Sequence, residues 1–138
     1  MDDNGSPKTE LTKTAILEAN DFQLEPVGCP EWGGVLYIGT ISADDRDTYE
    51  SEFAKQQDGD EPNLRGVRAA LVARCAMNSQ GEPLGFTPSE IFALGQKSAK
   101  PIDRCFEVAQ RLNGMGRYDV TETKKNSHPA DAQDSGSN

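Results

Sequence analysis

FQLEPVGCPEWGGVLYIGTI, residues 22–41, is the stretch that decides the fold. Val35-Leu36-Tyr37-Ile38-Gly39-Thr40-Ile41 is dense in β-branched and aromatic residues, the composition that suits a pleated, half-buried surface. Gln23-Leu24-Glu25-Pro26-Val27 alternates more weakly. Its proline cannot donate to a central ladder, which marks an edge strand or a bulge. Between the two lies Pro30-Glu31-Trp32-Gly33-Gly34, a loop, so the segment predicts a β-hairpin. Two strands alone are marginal in water and must pack on something else. The rest of the chain has to supply helices.

It does so in order. Ser42-Ala43-Asp44-Asp45 has the spacing of a capping box, with Asp where Glu is usual, and its acids suit the positive end of a helix. Arg46, Tyr49 and Phe53 then fall on one face, and Asp58-Gly59-Asp60-Glu61-Pro62 breaks the chain. Leu64, Val67, Leu71 and Cys75 recur at helical spacing, joined by Val72. Asn78-Ser79-Gln80-Gly81 turns the chain. Thr87-Pro88-Ser89-Glu90 is a complete helix start: Thr87 caps, Pro88 takes the first turn, Glu90 answers the cap, and Phe86 with Ile91 forms a hydrophobic staple. The last helix puts Ile102, Cys105, Phe106, Ala109 and Leu112 on one stripe and stops at Asn113-Gly114. Upstream of the hairpin, Leu11–Ala19 predicts a short helix capped by Thr12 and ended by Asn20-Asp21.

The expected fold class is therefore α+β, with the hairpin packed on a small helical bundle. The expected core is Leu64, Val67, Leu71, Cys75, Ile91, Leu94, Ile102, Cys105, Phe106 and Leu112, together with Trp32, Tyr37, Tyr49 and Phe53. The domain is expected over residues 11–117. Residues 1–10 and 118–138 are polar and short of apolar material, and both are expected to be disordered.

The 138 residues carry a formal net charge of -9. Residues 44–61 hold eight acids against Arg46 and Lys55, whereas residues 62–117 hold eight bases against four acids. Such segregation fits association between copies, or oppositely charged elements facing each other within one molecule. An acidic chain without a basic aromatic patch is a poor nucleic-acid binder, since phosphate neutralisation supplies most of that affinity. No apolar run is long enough for a bilayer, and no signal peptide is present. Cys29, Cys75 and Cys105 match no zinc or dithiol spacing, and Cys75 and Cys105 fall on apolar helix faces. The reading is a reduced, cytosolic protein with no nucleic acid and no membrane among its partners.

Catalytic groups are scarce. His128 is the only histidine and lies in the C-terminal tail, so a His-based triad or His-ligated metal in the folded segment is excluded. Asp58-Gly59-Asp60 opens like a calcium loop, but Asn63 stands where the glycine is required and Ala69 where the bidentate glutamate is required. Gly114-Met115-Gly116 follows a helix rather than a strand and lacks the third glycine of a nucleotide loop. Asp44, Asp45 and Asp47 sit where acids simply stabilise a helix start. No catalytic residue, cofactor or metal is expected, and the protein is not expected to be an enzyme.

The order of motifs is specific. LTKTAILEAND at residues 11–21 is followed by Pro30-Glu31-Trp32-Gly33-Gly34-Val35 and by Asp45-Arg46-Asp47. Asn63-Leu64-Arg65, Leu71-Val72-Ala73-Arg74-Cys75 and Gly81-Glu82-Pro83-Leu84 come next. Leu94-Gly95-Gln96-Lys97-Ser98 and Ala109-Gln110-Arg111-Leu112-Asn113-Gly114 close the set. Over residues 11–116 the chain resembles the tail assembly chaperones of long-tailed phages and prophages. It departs from them at Asn78-Ser79-Gln80-Gly81, where the family's turn is acid-rich, and at Cys29. The resemblance implies a non-enzymatic protein of the host cell cytoplasm, absent from the mature virion. It implies a protein that binds the tape measure protein, keeps it soluble, and helps tail tube subunits assemble around it. The alternative is a minor structural tail or head–tail joining protein retained in the virion. The resemblance further implies a longer frameshifted product that recruits the tail tube protein; Thr123-Lys124-Lys125 is compatible with a slippery run of adenines.

Trp32, the sole tryptophan, is flanked by turn residues. It reads either as a plug where helices dock on the hairpin or as a partly exposed binding group. Charge segregation adds Arg65, Arg68, Arg104 and Arg111 to Trp32 as the expected partner-binding residues, and self-association remains open on the same ground.

Overall fold

Strand alternation and helix capping place most elements of the computed structural model, which describes residues 9–115. The fold is α+β. In chain order it runs α1 (Lys13–Glu18), β1 (Leu24–Cys29), a 3-10 turn at Pro30–Trp32, β2 (Gly34–Gly39), α2 (Ala43–Gln56), α3 (Val67–Cys75), β3 (Ala76–Met77), α4 (Pro88–Gly95) and α5 (Ala99–Leu112). The expectations for the tails, including Thr123-Lys124-Lys125, lie outside the described residues apart from Thr9 and Glu10 at the start.

The hairpin pairs Leu24 with Gly39 through to Cys29 with Gly34. Gly33 closes the turn in the left-handed region (φ 81°), and its N–H donates to the Pro30 carbonyl at 3.0 Å. Directly opposed residues share a face, so Val27, Cys29, Leu36 and Ile38 point one way, toward the helices. Leu24, Pro26, Val35 and Tyr37 point the other way. Pro26 lies on an edge strand, as its chemistry demands, because the sheet order is β1-β2-β3. The Thr40 N–H donates to the Gln23 carbonyl, so by antiparallel alternation Gln23, Glu25 and Val27 bond inward while Leu24, Pro26 and Gly28 face the open edge. At that edge the Gly28 carbonyl accepts from the Arg104 guanidinium at 3.2 Å.

The third strand is a correction to the sequence reading. Instead of turning from helix to helix, the chain leaves α3 as β3, which pairs Met77 with Tyr37 and Ala76 with Ile38. Gly39 makes room for it: a Cβ there would lie 3.0 Å from Met77 Cγ. Asn78 then folds the return, its Oδ1 accepting from the Gln80 and Glu82 N–H groups, and Met77 bridges Pro83.

The caps are those the residues imply. Thr12, Ser42 and Thr87 each accept from the backbone N–H three residues on, and Glu90 returns the bond to Thr87 at 2.9 Å. Asp45 makes no such return bond to Ser42 in the way a Glu would; the cap there is one-sided.

The core joins Val27, Cys29 and Ile38 of the sheet to Leu71, Val72 and Cys75 of α3 and Ile102, Cys105 and Ala109 of α5, with Tyr49 of α2 and Met115. Val67, Leu94, Phe106, Leu112 and Tyr37 pack on its margin. Four expected members are not there. Leu64 is 46% exposed, because α3 begins only at Val67, after Gly66 turns the chain at φ 74°. Trp32 is 36% exposed at the hairpin tip. Phe53 and Ile91 are half-buried outside the central cluster. Helix α1 buries none of its residues.

Candidate functional site

Beside the hairpin tip the surface opens into an apolar groove of about 510 Å³. Leu36 of β2 and Trp32 form one wall. Val72 and Ala76, at the passage from α3 to β3, form the floor, while Leu94 of α4 with Leu84 and Phe86 of the intervening loop form the other wall. A second depression of about 390 Å³ continues it along α4 past Ala93 and Glu90, sharing Leu84, Phe86, Leu94 and Lys97. Glu31 and Lys97 are the charged residues at the rim of the first.

The loop that carries Leu84 and Phe86 is held rigidly. The Leu84 N–H donates to the Ala76 carbonyl at 3.0 Å, and Gly85 adopts φ 75°, a conformation that favours glycine. Leu84 stays 49% exposed despite this order. Backbone hydrogen bonding thus holds Leu84 in place while its side chain faces water at the groove.

Trp32 is therefore at the groove, as a partly exposed wall residue and not as a buried plug. The four arginines are spread elsewhere. Arg104 makes a two-pronged pair with Glu31 at 2.9 and 2.8 Å, just behind the wall. Arg111 makes the same kind of pair with Glu25 at 3.1 and 2.8 Å. Arg68 meets Asp103 at 3.3 Å and lies over the Phe106 ring. Arg65 has its backbone tied to Asn63 Oδ1 on the approach to α3. The structure does not bring these arginines together with Trp32 as one cluster. What the sequence reading missed is the set Leu36, Leu84, Phe86 and Leu94. Its signal was Pro83-Leu84-Gly85-Phe86, a turn-forming run in which Leu84 has no local partner while Phe86 staples to Ile91.

The electrostatics follow the pairs. The Arg104 guanidinium hydrogen-bonds Glu31 and holds its carboxyl down at about 2. Arg111 lowers Glu25 in the same way. Arg74 meets Glu52 at 2.9 Å. Arg74–Glu52 joins the acidic segment 44–61 to the basic segment 62–117, and the other two pairs join α5 to the hairpin, so oppositely charged elements face one another within one molecule at three points. Burial pushes Tyr49 and Cys75 up to about 12, Tyr49 donating its hydroxyl to the Val67 carbonyl at 3.2 Å.

Among the described residues, no group of three or more His, Cys, Asp or Glu is placed to hold a metal ion. No helix among them is long and apolar enough to cross a membrane. The groove offers mainly apolar surface with Glu31 and Lys97 at its rim, a lining suited to an apolar partner. Comparison with protein-family models, with curated proteins and with solved structures finds no match to the chain.

Proposed function

We propose that the protein is a tail assembly chaperone of the kind its motif order resembles, working by binding and without chemistry. Its client is the tape measure protein, a long helical polypeptide, taken up along the groove walled by Trp32, Leu36, Leu84, Phe86 and Leu94. The observation that carries the reading is this open apolar groove, built from rigid elements. An amphipathic helix presents apolar residues at i, i+3, i+4 and i+7, and a groove of this lining accepts such a stripe. A helical client left uncovered would expose those stripes and aggregate. Many copies along one client need only weak individual contacts.

On this reading the protein acts in the host cytoplasm and leaves before the virion is complete. The tail tube protein is reached through a longer frameshifted product. The test is co-expression with the candidate tape measure protein. Trp32→Ala combined with Leu84→Asp should weaken capture by about 30-fold or more, the effect of losing a buried aromatic contact worth ~2 kcal/mol. Arg65→Glu, away from the groove, should leave capture intact. Full capture by the groove variant would reject this site, and the protein's presence in purified virions would favour the structural alternative.

A further inference from the structure

Cys29 ends β1 and Cys105 lies in the middle of α5, 76 positions later, yet their sulfurs are 3.6 Å apart. Both side chains are buried. The third thiol, Cys75, is equally buried but faces the Asn113 amide at 3.5 Å instead of another sulfur. Closing 3.6 Å to a bonded pair asks each sulfur to move by about 0.8 Å, roughly what a side-chain rotation gives. Burial and the contact with Cys29 push the Cys105 thiol up to about 12 despite the nearby Arg104, so the 3.6 Å approach of the two sulfurs, and not thiol acidity, is what favours a bond between them.

We propose that Cys29 and Cys105 are an oxidisable dithiol, a modification site at which one intramolecular disulfide ties the end of β1 to the middle of α5. The oxidant is a small-molecule disulfide. One cysteine thiolate attacks it, forming a mixed disulfide and releasing one small thiol. The second cysteine, already in contact, attacks the protein sulfur of that mixed disulfide and releases the other small thiol. The protein gives up two protons and two electrons, and the small disulfide is reduced to two thiols. In a glutathione-reduced cytosol the pair stays as thiols. Because Cys29 is followed directly by Pro30–Trp32, the bond would also fix the turn that carries Trp32 to α5. The inference stands independently of what the groove binds.

The test oxidises the reduced full chain with glutathione disulfide under native conditions, then alkylates it in denaturant. Two of the three thiols should be lost, the chain should stay monomeric, and its mass should fall by two hydrogens. Peptide mapping should join Cys29 to Cys105, and the melting temperature should rise and return on reduction. Cys75→Ala should behave identically, with no free thiol left. Three thiols remaining, a disulfide that includes Cys75, or crosslinks between chains would each overturn the proposal.

Discussion

Asn113 gathers tertiary hydrogen bonds from several elements. Its Oδ1 accepts from the Ile41 N–H at 2.8 Å, its amide donates to the Ala109 carbonyl at 2.8 Å and faces Gly39 and Cys75, and its own carbonyl accepts from Arg46. One residue thus ties the exit of β2, the start of α2 and the end of α5. Asn113→Ala leaves the part-buried Ile41 N–H unsatisfied and should cost about 1–3 kcal/mol in denaturant unfolding. A midpoint equal to the parent's would mean water replaces the amide without loss. The sequence shows Asn113 only as a helix stop before Gly114. That much is local; partners 72 and 74 positions away leave no mark on spacing.

Glu31 makes a second residue-scale prediction. Its folded pKa, held down to about 2 by Arg104, lies below the ordinary 4.5. Between those values the unfolded chain binds more protons, so this contribution is present above pH 4.5 and is lost as pH falls toward 2. The melting temperature should therefore fall across this window more steeply in the parent than in Glu31→Gln. Parallel curves would show that the pair adds nothing to stability.

Elements were legible wherever the local signal was complete. The hairpin, the Thr87 capping box and the α5 stripe each combine a period with a start or stop residue. The errors fall where local signals stop short. Leu64 shares the period of α3, but Gly66 takes a positive φ and the helix starts at Val67, three residues later than the apolar pattern does. Strand β3 is two residues long, and its only sequence trace is Gly39 in the opposite strand. Helix α3 is the central element, and Leu71 is fully buried. Leu71→Ala should cost about 2–5 kcal/mol in unfolding free energy; a smaller loss would place the core elsewhere. Helix α1 is the reverse case. Its cap was readable from Thr12, but nothing in a short apolar pattern tells whether a partner surface exists within the same molecule. Leu17 is 77% exposed. Truncation to begin at Asp21 should change unfolding free energy by less than about 0.5 kcal/mol, the range of surface changes. A large loss would show α1 seated against the domain.

At the scale of the whole molecule, part of the charge segregation visible in the sequence is spent internally among the described residues. Arg104 and Arg111 of α5 hold the hairpin through Glu31 and Glu25. Reversing both arginines to Glu sets acid against acid and should lower the melting temperature. Adding Glu25→Arg and Glu31→Arg should recover it. A drop left uncorrected by the swap would assign the hold to the side-chain stems rather than to their charges. The groove was half legible for the same reason that the charges misled. Trp32 is rare and conspicuous, whereas Leu84 and Phe86 become a surface only once β3 and its return loop set them opposite the hairpin.

The open edge of β1 has a consequence for behaviour at high concentration. A flat strand edge with free donors and acceptors is a template for cross-β growth, chain adding to chain without limit. Here Pro26 removes one outward donor, and Arg104 occupies the outward Gly28 carbonyl. Both features disfavour two copies zipping together along this strand. The guanidinium that fastens the hairpin to α5 therefore also shields part of its outer edge against edge-to-edge growth at high concentration.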